Sequence, residues 1–241
     1  MPDTPQLLPA QDYRRERWRN GQGWTREILR EPDSDEFAWR ASIAEIQQDT
    51  LFSAYPGYRR AQFLLQGQAL RLGFTDGRRI TLEAPHAATE FDGSEVLACH
   101  LPHGPVQVFN LIWNPQTIDA LVMHRPLVGP MVFLPKPGVR WLIHLLAGHA
   151  CSRGERTIQM NPGDSLLLEP ERSQRAVLEG GGEVLVLRLA TPQPTADTAS
   201  IDPAPDASSL PNLPTTPDTP DSLDTSDSAP DHALNCGSDD D

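Results

Sequence analysis

Three arginines lie in short segments where small and polar side chains are concentrated, and each has the chemistry of an anion clamp. Arg26 lies in the segment 17–28, Arg40 in the segment 37–45 and Arg59 in the segment 52–60. A guanidinium offers a rigid fork of N–H donors that matches the two oxygens of a carboxylate. These arginines therefore predict a site for a small carboxylate. The alternative for each is an ion pair within the protein or simple solvation.

The residues around Arg40 support the prediction of a polar strand face. Arg40 and Ser42 alternate with apolar residues, and side chains two positions apart share one face of a strand. Such a face could present arginine and serine to a bound carboxylate. An ion pair of Arg40 with Glu27 or Glu45 is the alternative.

Further polar side chains lie in the same segments. Arg59 is followed by Arg60, and this pair of adjacent charges favours an exposed face there. Each remaining polar residue, taken singly, is more typical of an internal hydrogen bond. The predicted ligand-binding set is Asn20, Thr25, Arg26, Glu27, Arg40, Ser42, Arg59 and Asn110.

No recognisable catalytic or metal-binding motif accompanies these residues, so we predict no catalytic residue, no cofactor and no metal. A G-x-S-x-G elbow is absent, and Gly21-x-Gly23 lacks the third glycine of a dinucleotide site. His100 and His103 follow Cys99 in a loop rich in Pro and Gly, without a matching ligand pair elsewhere. Catalysis is therefore unsupported rather than excluded.

Charge is distributed unevenly along the 241 residues. The net charge is -13, but residues 191–241 hold eleven Asp, nine Pro and no Glu, Lys or Arg, which leaves -2 for residues 1–190. A segment of this composition is expected to be disordered. A nearly neutral body is a poor match for nucleic acid, whose recognition needs surplus Lys and Arg. No apolar run is long enough to span a membrane as a helix, and no secretory signal is visible, so we expect a cytoplasmic protein.

The sequence predicts that the elements that position the polar residues are strands. About ten short runs with apolar and β-branched residues are separated by turn signals such as Asp76-Gly77, Pro137-Gly138 and the run 180–182. This spacing predicts an all-β sandwich or barrel. A helical turn is expected only between residues 12 and 19.

Two sets of motifs resemble known families. The segment 161–170 resembles the G-D-x(4)-P corner of cupin barrels, although the His that follows it in metal-binding cupins is absent. The segments 17–28, 37–45, 52–60 and 104–111, with Phe91-Asp92-Gly93, resemble in content and order the HutD/Ves family. Gln22 and Gln107 depart from the family pattern.

The resemblance covers about residues 14–190 and implies a bicupin, which consists of two cupin-like β-barrels of the RmlC-like jelly-roll type. The expected organisation is an N-terminal extension (1–13), a first barrel (about 14–115), a second barrel (about 116–190) and the disordered acidic tail (191–241).

The family resemblance also implies a function, because HutD proteins are associated with bacterial histidine utilisation. We expect a small-molecule binding protein that acts as a sensor or regulator, with a carboxylate metabolite such as formiminoglutamate or urocanate as ligand. The alternatives are a metal-independent enzyme acting on a related metabolite, and a protein-interaction module without a ligand. Self-association into a homodimer is left open.

Overall fold

The computed structural model describes residues 5–18, 20–154, 157–169 and 175–192. Apart from its first two residues, the acidic tail predicted to be disordered lies outside this range, and so does Pro170. The described chain forms one 3-10 turn, Ala10–Asp12, and the following strands: β1 Gln6–Leu8, β2 Arg14–Arg17, β3 Gly23–Glu31, β4 Trp39–Ile46, β5 Thr50–Phe52, β6 Arg59–Gln66, β7 Ala69–Phe74, β8 Arg79–Glu83, β9 Ala88–Asp92, β10 Leu97–His100, β11 Val106–Trp113, β12 Asp119–Val128, β13 Met131–Phe133, β14 Val139–Arg153, β15 Ile158–Met160, β16 Ser165–Leu168 and β17 Ala176–Ala190.

Strands β2 to β11 form two antiparallel sheets that pack face to face. The six-stranded sheet has the order β2-β3-β4-β11-β6-β9, and the four-stranded sheet has the order β5-β10-β7-β8. Apolar side chains from both sheets meet in one core, with Ile46 and Val108 from the first sheet and Leu72 and Leu97 from the second. We call this pair of sheets the N-terminal sandwich.

The opposite face of the six-stranded sheet is also buried. Its residues Trp39, Phe109 and Leu111 pack against Leu142 and Leu187 of the strands that follow. Both faces of the central strands β4 and β11 are therefore covered. One side of these strands is mainly apolar, and the other carries both polar and apolar residues.

Strands β12 to β17, joined by β1 from the N-terminus, form a seven-stranded sheet that we call the C-terminal sheet. Its main path is β1-β16-β14-β17-β12. Its inner face buries a cluster that includes Ile143, Leu145, Leu166, Leu178 and Val184. Leu178 and Val184 lie on the two sides of the glycine run 180–182 of β17, and both pack into this cluster. The sheet therefore bends around its own core.

The prediction of an all-β fold is confirmed, but the predicted helical turn, the predicted turn at residues 180–182 and the predicted closed barrels are not formed. Residues 14–17 form strand β2 rather than a helical turn, because their backbone pairs with β3. The glycines 180–182 do not form a turn but lie inside β17, where a Cβ on Gly180 would approach the carbonyl oxygen of His149 to 2.1 Å. Only glycine permits this close approach of two backbones.

The expected closed barrels are not formed among the described strands. The terminal strands of each sheet pair on one side only, and burial is achieved by packing sheet on sheet instead. A two-sheet arrangement buries the same apolar faces without closure. Within the described residues, no helix is long and apolar enough to cross a membrane.

Candidate functional site

A cavity of about 520 Å³ opens between the two sheets of the N-terminal sandwich. We call it the sandwich cavity. The six-stranded sheet contributes polar side chains to its wall, and the four-stranded sheet contributes Leu51 and Phe52. Five residues of the predicted set line it: Asn20, Thr25, Arg40, Ser42 and Asn110.

Strand register creates a row of buried polar residues along this wall. Ser42 of β4 lies opposite Glu27 of β3 on one side and opposite Asn110 of β11 on the other. Asn110 in turn lies opposite Gln62 of β6. All four residues are at most 8 % exposed. Buried polar groups are costly unless they are satisfied, so a row of them beside an open cavity indicates a binding surface.

Two of the predicted arginines form the ion pairs that the sequence left as the alternative. The Nε of Arg40 donates to Oε2 of Glu27 at 2.5 Å, and Glu27 also accepts from Arg14 at 2.9 Å. The Nε of Arg26 lies 2.8 Å from Oε1 of Glu45. Arg26 lies on the face of β3 that points away from the sandwich cavity, since it alternates with Thr25 and Glu27.

Arg60, which was not in the predicted set, is the buried arginine of the cavity that has no ion pair among the described residues; Arg17 also lines the cavity but is exposed. Arg60 is only 4 % exposed, and no carboxylate of the described residues lies within 4.0 Å of its guanidinium. Its Nη atoms donate to the carbonyl oxygen of Ser53 at 3.2 Å and to Oδ1 of Asn110 at 3.3 Å, while its Nε is buried without a partner. Burial, with a smaller contribution from the nearby charge of Arg40, lowers the pKa of Arg60 to about 10.

Aromatic rings surround this guanidinium. The Cζ atom of Arg60 lies 5.5 Å from the ring centroid of Phe52, 5.5 Å from that of Tyr55 and 5.2 Å from that of Phe91. These rings offer the cation weak attraction but no compensating negative charge. The cavity therefore contains a desolvated positive charge and, beside it, the buried Oε1 of Gln62, which also has no partner among the described residues.

Arg59, which the sequence favoured over Arg60, lies on the other side of β6. Its side chain is 43 % exposed and pairs with Glu90 at 2.5 Å. Adjacent residues of a strand point to opposite faces, so the doublet sends one arginine out and the other in. The alternation of β6 does not identify the inward arginine, because Ala61, Phe63 and Leu65 share a face with Arg59, whereas Gln62 and Leu64 share a face with Arg60.

The cupin-like corner of the C-terminal sheet has a structural role. The carboxylate of Asp164 accepts from the backbone N–H of Ala10 and of Asn161, both at 2.8 Å. Nearby, the hydroxyl of Ser165 bonds to the ring of His144 at 3.0 Å and to the hydroxyl of Tyr13 at 2.8 Å. Burial lowers the pKa of His144 to about 4 and raises the pKa of Tyr13 to about 12, so both groups are neutral near pH 7.

Comparison with known sequences finds a family model and several relatives. The family model, described as HutD, matches residues 10–186. An uncharacterised 21.2 kDa protein in the hutC 3' region of Pseudomonas putida is 43 % identical over 117 residues, which are 48 % of this chain and 61 % of that protein. Protein Ves of Escherichia fergusonii is 38 % identical over 109 residues, which are 44 % of this chain and 56 % of Ves. The chain thus spans about three fifths of the length of these relatives.

Solved structures share the fold over most of the chain. HutD from Pseudomonas fluorescens, described as a formate condition, has a TM-score of 0.68 and 26 % identity, and covers 79 % of this chain and all of its own. A conserved protein of unknown function from Pseudomonas aeruginosa gives the same TM-score with 27 % identity and the same coverage. A bacterial pirin from Escherichia coli, solved with nickel(II), has a TM-score of 0.61 at 12 % identity, which is a likeness of fold alone.

Proposed function

The chain belongs to the HutD family, and on that premise we propose that it binds a small carboxylate metabolite in the sandwich cavity, as a sensor or regulator of histidine utilisation. The family match confirms the resemblance read from the sequence motifs. The histidine-utilisation context is supported by the relative in the hutC 3' region and by the likeness to a solved HutD.

The observation that carries the proposal is the buried, uncompensated charge of Arg60 at the cavity wall. A guanidinium removed from water without a counter-ion raises the free energy of the empty protein. An anion that enters the cavity supplies the missing charge, and a charge-assisted hydrogen bond contributes about 1.5–3 kcal/mol. The cost of burying Arg60 is therefore recovered when the ligand binds.

The neighbouring groups narrow the chemistry of the ligand. Oε1 of Gln62 is a buried acceptor that meets no donor from the described residues, so a ligand that adds an N–H group would satisfy it. Urocanate carries a carboxylate and an imidazole N–H, and formiminoglutamate carries carboxylates and a formimino N–H. A cavity of about 520 Å³ is within the range of small-molecule sites and has room for either.

The cavity also bears on the alternative functions. An interaction module without a ligand predicts a pocket filled by large side chains, whereas this cavity is open. The carboxylate and hydroxyl groups that line the cavity, those of Glu16, Thr25, Ser42, Ser53 and Tyr55, are accompanied by no His or Cys in the described part of the chain, so no nucleophile paired with a histidine base lines it there. A binding role therefore has the stronger support.

The description of the chain as a bicupin is part of the same proposal. It is supported by the likeness of fold to the pirin over 79 % of the chain and to an oxalate decarboxylase with a TM-score of 0.56 over 77 % of the chain. In this description the sandwich cavity is the pocket of the first cupin-like unit.

The test compares the adjacent arginines as a matched pair. Ligand at a hundredfold excess over Kd should stabilise the folded chain by about 2.7 kcal/mol, which raises the melting temperature by several degrees. Arg60→Met should abolish the shift caused by urocanate or formiminoglutamate. It should leave the melting temperature of the free protein unchanged or raised, because it removes an uncompensated buried charge. Arg59→Met should keep the full shift.

Two outcomes would contradict the proposal. One is the absence of any shift in the unmodified protein with the two metabolites and with formate, the smallest carboxylate. The other is a ligand-induced shift that survives Arg60→Met unchanged, since the ligand would then bind elsewhere.

A further inference from the structure

A second cavity, of about 540 Å³, lies where the N-terminal sandwich meets the C-terminal sheet. At its edge three side chains from distant parts of the chain converge. His86 belongs to the loop between β8 and β9, His124 to β12 and Glu183 to β17. Within the described ranges they form the group of His, Cys, Asp and Glu side chains with the spacing of a metal site.

One carboxylate oxygen is the centre of this group. Oε2 of Glu183 lies 2.7 Å from Nε2 of His86 and 3.1 Å from Nε2 of His124, and the ligand atoms all lie within 4.8 Å of one another. In a tetrahedral site with bonds of about 2.0–2.1 Å, neighbouring ligand atoms are separated by about 3.3 Å. To admit an ion, Oε2 of Glu183 would need to move about 0.6 Å farther from Nε2 of His86 and about 0.2 Å farther from Nε2 of His124.

The two rings are held in place by packing. Their centroids are 4.4 Å apart, and Phe63 packs against His86 at 5.7 Å and against His124 at 5.8 Å. His86 also has a φ of +60°, a backbone conformation that costs energy for a residue other than glycine. Strained conformations of this kind are found preferentially at functional sites.

The site is accessible to an ion from solvent. The side chains of His86, His124 and Glu183 are 24 %, 33 % and 44 % exposed. Because the adjoining cavity has a volume of about 540 Å³, it has room for a water molecule or a small anion beside the ion. Arg26 and Gln107 also line this cavity.

We propose that His86, His124 and Glu183 bind one divalent first-row transition-metal ion, with Zn²⁺ as the representative. Imidazole nitrogens are suited to such ions, and two of them with one carboxylate leave a coordination position open toward the adjoining cavity. The ion would replace the hydrogen bonds of Glu183 and join strand β12, strand β17 and the β8–β9 loop. This site is separate from the sandwich cavity, and the sequence alone predicted no metal.

The experiment uses the untagged full chain, stripped with chelator and titrated with Zn²⁺ by calorimetry. We expect one equivalent of Zn²⁺ per chain. His124→Gln and Glu183→Gln should each weaken binding at least about tenfold, because changes even outside the ligand shell commonly cost 10–100-fold. His100→Gln is the matched control, because His100 also bonds a carboxylate, Asp49 at 2.5 Å, but has no third ligand group beside it in the described part of the chain.

Titration with Co²⁺ gives a second readout, because the visible absorption of the bound ion depends on the side chains that coordinate it. A substitution that only changes the stability of the fold would not change this absorption. The proposal is overturned if the unmodified chain binds no Zn²⁺, or if His124→Gln and His86→Gln bind it as tightly as His100→Gln does. Binding retained by both histidine variants would point to the cysteines instead. Arg60→Met should retain Zn²⁺, so this test and the carboxylate test fail independently.

Discussion

The interiors of the N-terminal sandwich and the C-terminal sheet differ, although each contains an apolar core. The sandwich buries a charged guanidinium and the amide of Gln62 beside open space. The C-terminal sheet encloses a cluster of apolar side chains such as Ile143, Leu166 and Val184, each at most 2 % exposed. Both interiors are formed by antiparallel strands, so the architecture does not explain the difference.

The comparison shows that the N-terminal half combines an apolar core with a polar cavity, whereas the C-terminal half encloses an apolar cluster. The buried Asp164 and His144 of the C-terminal half have protein partners, whereas Nε1 of Trp141 has none among the described residues. Arg60 and Gln62 in the N-terminal half keep unused donors and acceptors. Under the proposed function, a bound ligand supplies the partners that these groups lack.

The largest expected effect is the loss of stability caused by a substitution in the C-terminal core. Leu166→Ala should lower the free energy of unfolding by about 2–5 kcal/mol, because it leaves a cavity in a closely packed region. Gln62→Leu is the counterpart in the sandwich, and it should be neutral or stabilising since it removes an unpartnered polar group. Denaturant unfolding measures both. A Gln62→Leu cost as large as that of Leu166→Ala would show that the two interiors are equally dependent on packing.

A somewhat smaller effect concerns the pH dependence contributed by His144. Its pKa of about 4 in the folded chain lies below the ordinary value of about 6.5, because the ring is buried and Arg26 repels its protonated form while Asp164 opposes this. The unfolded chain therefore takes up a proton first on acidification. Stability should fall by about 3 kcal/mol as the pH drops from 6.5 to 4.

His144→Asn tests this pH effect, because the amide can still bond Ser165 but does not titrate. The variant should show a flatter stability profile between pH 6.5 and 4 when unfolding is followed at each pH. Parallel profiles for the two proteins would show that His144 does not titrate as its burial requires.

The smallest expected effect distinguishes the contributions of Arg40 and Arg60 to ligand binding. Arg40 is already neutralised by Glu27, so Arg40→Lys should weaken ligand binding by only about tenfold, or about 1.4 kcal/mol, through loss of the planar fork. The free protein should also melt slightly lower because the pair with Glu27 is disturbed. If Arg40→Lys abolishes binding while Arg60→Met does not, the roles assigned to these two arginines are reversed.

The sequence predicted more of the fold than of the site. Alternation identified most strands, including β4 with Arg40 and Ser42 on one face, because a strand has a side-chain period of two. It did not distinguish Arg59 from Arg60, since a doublet has one member on each face and the inward face depends on which sheet covers the strand. Gly180–Gly182 were interpreted as a turn because glycine serves turns and close backbone approaches equally well.

The sequence by itself determined the all-β class, the family and the residue types that could bind a carboxylate, because these follow from local alternation and from short motifs. Only the tertiary structure decided that Arg60 is buried without a counter-ion among the described residues and that His86, His124 and Glu183 meet. Charge compensation and metal-ligand spacing depend on side chains brought together by strand register and sheet packing. Residues far apart in the chain become neighbours only after those long-range pairings form, and no local pattern encodes their distances.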